Sequence, residues 1–407
     1  MNTVVTNRER ASAELSLQSS EMQLLLCVAR PQLTPPDVAH LQALIADDLD
    51  WDGLLRAALR HKLLPLLAHH LRAHSSQLPA AIRDRLRVWS LQSTWAALAL
   101  SGELVGLVAG LEERGVLAVP YKGPALATQL YGSPALRPAG DLDLVIRRRD
   151  IAQARDFLLT RGYRPRHTLG RGGEVFMVRS RYSEGFTHDE FATVELHWAF
   201  TNGDIAFPLD LEVLAPRLET MAFGGRQIPA FAWEDLLIIL SVHGAKHRWD
   251  RLEWICGVAE IVRRTPDLER VLSRSRTLGV RRMLLLGLLT AHELLAAPVP
   301  GSVLHSARQD AAVRHAASRV PGFLVRESLD GAEGDSLPTD LFRYRLRERW
   351  RDRVRYVLYR VTTPSQPERW AAVTLGARVI PLHVFVRPFR LLSRLAWLIR
   401  GRLRPAD

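Results

Sequence analysis

Apolar residues recur at spacings of three and four along residues 21–112, and this period predicts a series of helices. One of them begins at Trp51, because Leu54, Leu55 and Ala58 then fall on a single helix face. The same spacing continues on both sides of that helix. We therefore expect the first quarter of the chain to be helical and to bury one apolar face of each helix.

The pattern changes to short apolar runs after Gly115, where strands and helices are expected to alternate. A turn follows the first run, and Pro124 suits the first turn of a helix because its nitrogen carries no N–H to leave unpaired. The predicted helices of this part are 125–131 and 151–160. The predicted strands are 116–119, 141–146, 175–178 and 193–198.

The helical period returns after Trp233, with predicted helices at 234–245, 248–264, 284–295 and 311–319. Together these elements predict an α+β protein in which helical regions precede and follow a small mixed sheet with flanking helices. The expected organisation is a flexible arm (1–20), a helical N-terminal region (21–112), a sheet-containing core (113–230), a helical domain (231–329), and a linker with a basic tail (330–407).

The composition is that of a globular protein, since 47% of the 407 residues are apolar and 24% are charged. Wholesale disorder and a collagen-like chain are excluded. Cys27 and Cys256 are too few for a disulfide framework or a four-cysteine zinc site, so we expect a reducing, cytoplasmic setting. The first 20 residues lack the pattern of a secretory signal. The best uncharged stretch, residues 88–102, is shorter than the ~20 apolar residues of a membrane span.

The positive charge of the chain is concentrated at one end. The formal net charge is +12, and residues 341–407 hold 16 arginines against four acidic residues. Arginines occupy every second position from Arg343 to Arg355, which makes residues 341–404 a candidate contact for a polyanion, RNA or an anionic membrane surface. A solvated helix with interleaved acids is the alternative. Residues 379–399 mix apolar residues with arginines, as an interfacial amphipathic helix does.

Asp141 and Asp143 form the sharpest candidate site. Residues two apart in a strand project from the same face, so these carboxylates lie together while Leu142 and Leu144 enter the core. Two carboxylates this close raise each other's pKa, and a divalent cation relieves the repulsion. Mg²⁺ or Mn²⁺ would find oxygen ligands here and share them with substrate phosphates. The alternative is a strand end with two solvated acids.

A candidate phosphate-binding turn lies just upstream, at Lys122-Gly123. It precedes a helix start, where backbone N–H groups and the helix dipole attract phosphate. Gly123 permits close approach of the backbone, and Lys122, one of only three lysines among 55 basic residues, adds a positive charge. Arg137 precedes the two aspartates, and its planar guanidinium can donate paired hydrogen bonds to phosphate oxygens. An ordinary turn is the alternative reading of Lys-Gly.

Further candidate side chains come from two later segments. Glu195 and His197 share one face of the last predicted strand, where a carboxylate would complete a three-acid cluster for two metal ions. His197 either contacts the nucleotide or is a hydrogen-bonded structural histidine. His243 and His247 are four apart on one helix face with Lys246 nearby, and either face a nucleotide or pack together. A zinc site is not expected there, because the His-Glu-x-x-His pattern lacks its glutamate.

The order of these elements resembles that of the DNA polymerase β-like nucleotidyltransferase superfamily. Within it, the chain is similar to a bacterial family known as uncharacterised nucleotidyltransferases, over roughly residues 20–395. The carrying motifs are Tyr121-Lys122-Gly123-Pro124-Ala125-Leu126, Leu136-Arg137-Pro138, Gly140-Asp141-Leu142-Asp143-Leu144-Val145 and Val194-Glu195-Leu196-His197-Trp198.

The resemblance implies metal-dependent transfer of a nucleoside monophosphate from an NTP, expected to be ATP, to an acceptor hydroxyl. The metal ligands and catalytic residues it implies are Asp141, Asp143 and Glu195, the last of which would help to deprotonate the acceptor. The residues it implies for the triphosphate are Lys122, Gly123 and Arg137. The acceptor stays open between a small molecule, a peptide or protein side chain, and an RNA end.

Two other functions fit the same sequence. One is a non-catalytic nucleotide-binding regulator built on the same fold, which would bind an NTP without releasing pyrophosphate. The other is a scaffold that binds a membrane surface or nucleic acid through the arginine-rich tail. In that case the protein would be cytoplasmic and peripheral to the inner membrane face.

Overall fold

The computed structural model describes residues 16–166, 182–203, 205, 207–264, 266–325 and 337–362. Three expectations lie outside these residues: most of the N-terminal arm, the strand at 175–178, and the amphipathic segment at 379–399.

Helices dominate the described residues, and the strands are short. The helices are α1 (Ser20–Cys27), α2 (Pro35–Ile45), α3 (Trp51–Arg60), α4 (Leu64–Leu71), α5 (Ala80–Glu112), α6 (Gly123–Tyr131), α7 (Ile151–Thr160), α8 (Leu211–Leu214), α9 (Trp233–Lys246), α10 (Leu252–Arg263), α11 (Leu268–Leu278), α12 (Arg281–Leu295), α13 (Gly301–Gln309), α14 (Ala311–Ala317), α15 (Val320–Val325), α16 (Leu337–Arg345) and α17 (Trp350–Thr362). The strands are β1 (Ala118–Pro120), β2 (Asp141–Ile146), β3 (Arg164–Pro165), β4 (Ser183–Thr187), β5 (Thr193–His197), β6 (Glu219–Phe223) and β7 (Arg226–Ala230).

Five strands form one mixed sheet in the order β1-β2-β5-β4-β3, which confirms the predicted α+β class. Strands β2 and β5 are parallel, and the other neighbours are antiparallel. The parallel pair requires a long connection, which includes α7, β3 and β4. A separate hairpin of β6 and β7 was not predicted, because only Phe223, Ile228 and Ala230 of its residues are buried.

The N-terminal helices form as their apolar period predicts. The Asp50 side chain caps α3 by accepting a hydrogen bond from the Gly53 N–H at 2.9 Å. Leu54, Leu55 and Ala58 are buried on one face of this helix, which confirms the expected packing. The helix ends at Arg60, and α4 begins only four residues later at Leu64.

The 33-residue helix α5 joins two hydrophobic clusters. Ile82 and Leu86 pack with the helical regions, whereas Leu104 and Leu107 pack with the sheet. By length and composition, α5 also meets the requirement for a membrane span, which differs from the expectation for this part of the chain; 44% of its most apolar 18-residue window is buried. Its middle is exposed, with an apolar stripe of Val88, Leu91, Trp95 and Leu98.

The predicted helix at 248–264 begins late, at Leu252. Arg248 and Trp249 adopt left-handed backbone angles, with φ of 62° and 59°, so helix geometry cannot continue through them. The Trp249 ring is fully buried and lies where a Cβ on Gly244 or Gly287 would collide with it. Burial of this large ring fixes the sharp corner between α9 and α10.

The described part of the basic tail packs on the body of the protein. The Arg343 guanidinium donates to the Lys246 carbonyl through Nε at 3.0 Å and Nη2 at 2.8 Å. Arg349 donates to the carbonyls of Arg276 and Thr277 at 2.8 and 2.7 Å. These arginines satisfy the free carbonyls at the ends of α9 and α11. The alternating arginines therefore lie in two helices and the turn between them, and several contact the body.

Residues 330–340 are rich in Gly, Asp and Pro and are therefore expected to form the linker. In the structure residues 337–340 instead begin α16. Phe342 and Leu346 belong to the main hydrophobic cluster. The following helix, α17, exposes a set of large apolar side chains, Trp350, Val354, Val357 and Leu358.

Candidate functional site

The two aspartates of β2 point to one side of the sheet, as the alternation predicts. Leu142 and Leu144 are buried in the sheet's hydrophobic cluster, while Asp141 is half-buried and Asp143 is buried. The parallel neighbour β5 pairs Asp143 with Glu195 in register. Because paired residues of adjacent strands project from the same face, the structure brings the three predicted carboxylates together.

His197 lies between the carboxylates of Asp143 and Glu195. Its Nε2 is 2.7 Å from Asp143 Oδ1 and 3.3 Å from Glu195 Oε2. The ring is 1% exposed and packs edge-on against Tyr121, with ring centroids 5.3 Å apart. Within the described residues its Nδ1 has no hydrogen-bond partner. A histidine that binds metal normally donates from its other nitrogen, so His197 fits the role of orienting the carboxylates better.

Lys122 reaches the same carboxylates from the start of α6. Its Nζ is 3.6 Å from Asp143 Oδ1. The next residue, Gly123, has φ of +60°, and a Cβ there would lie 3.2 Å from the Asp141 carbonyl oxygen. Glycine is therefore required for the helix start to pack this closely on β2. The predicted Lys-Gly turn and the Asp-x-Asp strand are direct neighbours.

The electrostatics of the site separate the two aspartates. Burial opposes ionisation of Asp143, but Lys122 and His197 hold its pKa well below the ordinary value. Burial raises the pKa of Asp141, and repulsion from Asp143 and Glu195 raises it further. A hydrogen bond from His197 lowers the pKa of Glu195 against the effect of burial. Lys122 and Lys62 oppose the rise in the Asp141 pKa but do not cancel it.

These residues fit a hard divalent cation. An oxygen of Asp143, an oxygen of Glu195 and a ring nitrogen of His197 all lie within 4.8 Å of one another, so the two carboxylates that His197 orients are close enough to share an ion. Asp141 adds a third carboxylate on the same face, and the negative charge that raises its pKa is what a cation relieves. Carboxylate oxygens are the donors that Mg²⁺ and Mn²⁺ take in proteins.

A small cleft lies beside Asp143, between α6 of the core and the helices α9 and α10. Lys122, Arg137 and Glu253 provide charged groups, and His243 lies in the same lining as the indole of Trp254. Burial and the neighbouring Lys122 lower the pKa of His243 well below its ordinary value, so this ring is neutral. The structure thus places Arg137 and His243 in the cleft, and their contact with a nucleotide stays a prediction.

Two other predicted residues, Lys246 and His247, lie at the edges of this arrangement. Lys246 Nζ donates to the Tyr182 hydroxyl at 3.2 Å, and the Tyr182 ring lies 5.8 Å from that of His197. The His247 ring packs on Trp254, with centroids 4.9 Å apart. Lys246 therefore approaches the carboxylates through a tyrosine, and His247 belongs to the wall behind His243.

Sequence reasoning missed two charged residues of the site. Glu253 is buried, and its carboxylate lies 3.5 Å from Arg137 and 3.8 Å from Lys62. Lys62 comes from the N-terminal helical region, which no motif connected with the sheet. The available signal was the scarcity of lysine, because all three lysines of the chain lie at this site or beside it.

Comparison with known proteins identifies the family. No curated protein matches the chain. Among solved structures, a nucleotidyltransferase-like antigenic protein from Paracoccidioides brasiliensis is 16% identical, over 51% of this chain and 97% of the other, with a TM-score of 0.29, which is too low to establish a common fold. Residues 47–296, more than half of the chain, match the family described as uncharacterised nucleotidyltransferase, and the protein therefore belongs to that family.

Proposed function

We propose that the protein transfers a nucleoside monophosphate from an NTP, with ATP as the donor, to an acceptor hydroxyl, in the manner of DNA polymerase β-like nucleotidyltransferases. The observation that carries the proposal is the pairing of Asp143 with Glu195 in register on adjacent parallel strands, with Lys122 3.6 Å from Asp143. Family membership supports the same chemistry.

Asp141, Asp143 and Glu195 would hold Mg²⁺ or Mn²⁺. When bound, the metal supplies positive charge that stabilises the attacking and leaving oxygens of a phosphoryl displacement. His197 holds Asp143 and Glu195 through its Nε2. In this proposal His197 therefore orients two ligands and does not contact the reacting phosphate.

The side chains of the protein bind the triphosphate and accept a proton. Backbone N–H groups at the start of α6, with Gly123 and Lys122, face the phosphates. Arg137 adds a second cation from the cleft.

In the proposed reaction the acceptor oxygen bonds to the α-phosphorus, the bond from that phosphorus to its bridging oxygen breaks, and pyrophosphate leaves. The acceptor hydroxyl gives its proton to the Glu195 carboxylate.

The cleft wall is proposed to hold the nucleoside. His243 is neutral, because burial disfavours its charged form, so the ring offers a hydrogen bond or a stacking face without charge. Lys246 is the last residue of the same helix, α9, and His247 caps its end. The small size of the cleft requires local opening before a nucleoside enters.

The first test is nucleotide binding by the full chain. Thermal shift is measured with each of the four NTPs, with and without Mg²⁺, on wild type, Asp141→Ala, Asp143→Ala and the control Asp156→Ala. We expect Mg²⁺-dependent stabilisation by ATP that disappears in the two site variants and persists in Asp156→Ala, whose side chain is exposed on α7. Absence of any shift in wild type would contradict the proposal.

Pyrophosphate release then separates transfer from binding alone. Wild type incubated with labelled ATP, Mg²⁺ and candidate acceptors should release pyrophosphate, and Asp143→Ala should reduce that release at least 100-fold, on the order expected for loss of electrostatic catalysis. Mg²⁺-dependent ATP binding with no pyrophosphate release and no labelled product would favour the non-catalytic regulator.

A second candidate function rests on α17. Its exposed apolar residues Trp350, Val354 and Leu358 lie among the exposed arginines Arg351 and Arg355. An exposed apolar face bordered by arginines is typical of a helix that lies in the interface of an anionic membrane. We propose that the protein is cytoplasmic and that this face contacts the inner membrane surface.

A further inference from the structure

The corner between α3 and α4 brings a lysine from the N-terminal region to the cleft. Lys62 Nζ lies 3.8 Å from Glu253 Oε1, and Arg137 Nη2 lies 3.5 Å from Glu253 Oε2. The Glu253 side chain is only 3% exposed. One buried carboxylate therefore holds one cation on each of its oxygens, and these cations come from different parts of the chain.

His61 fixes the position of this corner. Its Nδ1 accepts a hydrogen bond from the Leu252 N–H at 3.3 Å, and its carbonyl accepts one from the Glu253 N–H at 3.3 Å. The first N–H groups of a helix have no partner within the helix, so His61 supplies two acceptors that α10 needs. Burial lowers the pKa of His61 to about 3, which keeps the ring neutral and able to accept.

Lys62 is more accessible than the two cations that line the cleft, Lys122 and Arg137. The side chain of Lys62 is 39% exposed, compared with 19% for Lys122 and 11% for Arg137. Lys62 shares the Glu253 carboxylate with Arg137, and both Glu253 and Arg137 line the cleft next to Lys122. The Lys62 ammonium therefore lies near the cleft and is open to a ligand.

We propose that Lys62 binds the terminal phosphates of the NTP and that Glu253 holds it in place, an inference that rests on the proposed nucleotidyl transfer. The α-phosphate must lie at Asp143 and Glu195 for the reaction. Lys122, Arg137 and Glu253 line the cleft beside them, and Lys62 lies beyond Glu253. The β- and γ-phosphates extend from the α-phosphate along this cationic path, and a lysine provides the point charge that a terminal phosphate needs.

Calorimetric titration of the full chain with ATP, ADP and AMP in Mg²⁺ tests this role. In Lys62→Gln we expect the Kd for ATP to rise about tenfold, the value for a lost charged contact, while the Kd for AMP changes less than about twofold. Lys62→Arg should restore most of the ATP affinity. The control Arg56→Gln, on the preceding helix α3 and 72% exposed, should bind ATP like wild type.

The outcomes separate this inference from the proposed function. An unchanged ATP affinity in Lys62→Gln overturns the role of Lys62, although Asp143-dependent ATP binding by wild type would leave nucleotidyl transfer standing. Equal losses for ATP and AMP also overturn it, because a purely structural defect weakens all three nucleotides alike. Failure of wild type to bind any NTP overturns both. Thermal unfolding without nucleotide checks that each variant is folded.

Discussion

His61 is a buried histidine whose ring must stay neutral, since its Nδ1 accepts the Leu252 N–H. Nothing in the local sequence indicated this role, because its partner lies 191 residues away. The contact between Glu253 and Lys62 could not be predicted for the same reason, because these residues are also far apart in the sequence. By contrast, Asp141 and Asp143 were predictable, because alternation along one strand is enough to place two side chains on a common face.

The neutral state of His61 predicts a pH dependence. Burial lowers its pKa from 6.5 to about 3, so below pH 6.5 the unfolded chain binds a proton that the folded protein does not. Stability is therefore lost as pH falls from 6.5 towards 3, by about 1.4 kcal/mol for each pH unit from this group. In His61→Asn, which keeps an acceptor but no titratable ring, the free energy of unfolding should approach that of wild type as pH falls from 7 to 5. A constant difference across this range would contradict the argument. Urea unfolding at each pH measures it.

At the scale of elements, the order of strands and helices could be predicted, but their ends and partners could not. The predicted strand at 141–146 matches β2, and the Glu195 strand matches β5 within one residue. The late start of α10 depends on the left-handed Arg248 and Trp249, whose geometry follows from burial of the Trp249 ring against Gly244 and the distant Gly287. Local period contains no information about such contacts, so the predicted helix was four residues too long at its start.

The junction of α6 with β2 predicts a difference between two glycines. Gly123→Ala introduces a Cβ at φ +60° and 3.2 Å from the Asp141 carbonyl, whereas Gly132→Ala at φ +75° meets nothing within 4 Å. Both variants bear the left-handed cost of about 1–2 kcal/mol, and Gly123→Ala should lose about 1 kcal/mol more through the contact with β2. Only Gly123→Ala should also weaken ATP binding. Chemical denaturation gives the first comparison, and equal losses would show that β2 yields to the added methyl group.

At the scale of the whole molecule, the charge pattern of the tail could be predicted, but not its use. The sequence showed the alternating arginines, and the structure assigns Arg343 and Arg349 to helix ends of the body. Truncation after residue 340 would therefore remove Phe342 and Leu346 from the core and would not isolate a surface function. Substitutions on the exposed face of α17 are the cleaner test.

The proposed membrane contact is measured by co-sedimentation with phosphatidylcholine vesicles that contain or lack phosphatidylserine. We expect binding only to the anionic vesicles, weaker binding at high salt, and a several-fold loss in Trp350→Ser. Phe191→Ser is the control, because Phe191 is also exposed, 44% against 69% for Trp350, but lies between β4 and β5 and outside both α17 and α5. Equal losses of vesicle binding in the two variants would indicate non-specific hydrophobic binding and would contradict the proposed membrane contact of α17.

The hydrogen bond between His61 and Leu252 has a consequence for synthesis. At about 5–20 residues per second, a ribosome needs about 10–40 seconds to add the 191 residues that separate them. During that interval the α3–α4 corner is complete in sequence but lacks both the N–H groups that His61 accepts from and the carboxylate that Lys62 contacts. The α3–α4 corner therefore stays without these partners until residues 252 and 253 are made, and the candidate site can close only after that. A nascent chain stalled before residue 252 should expose this corner to proteases.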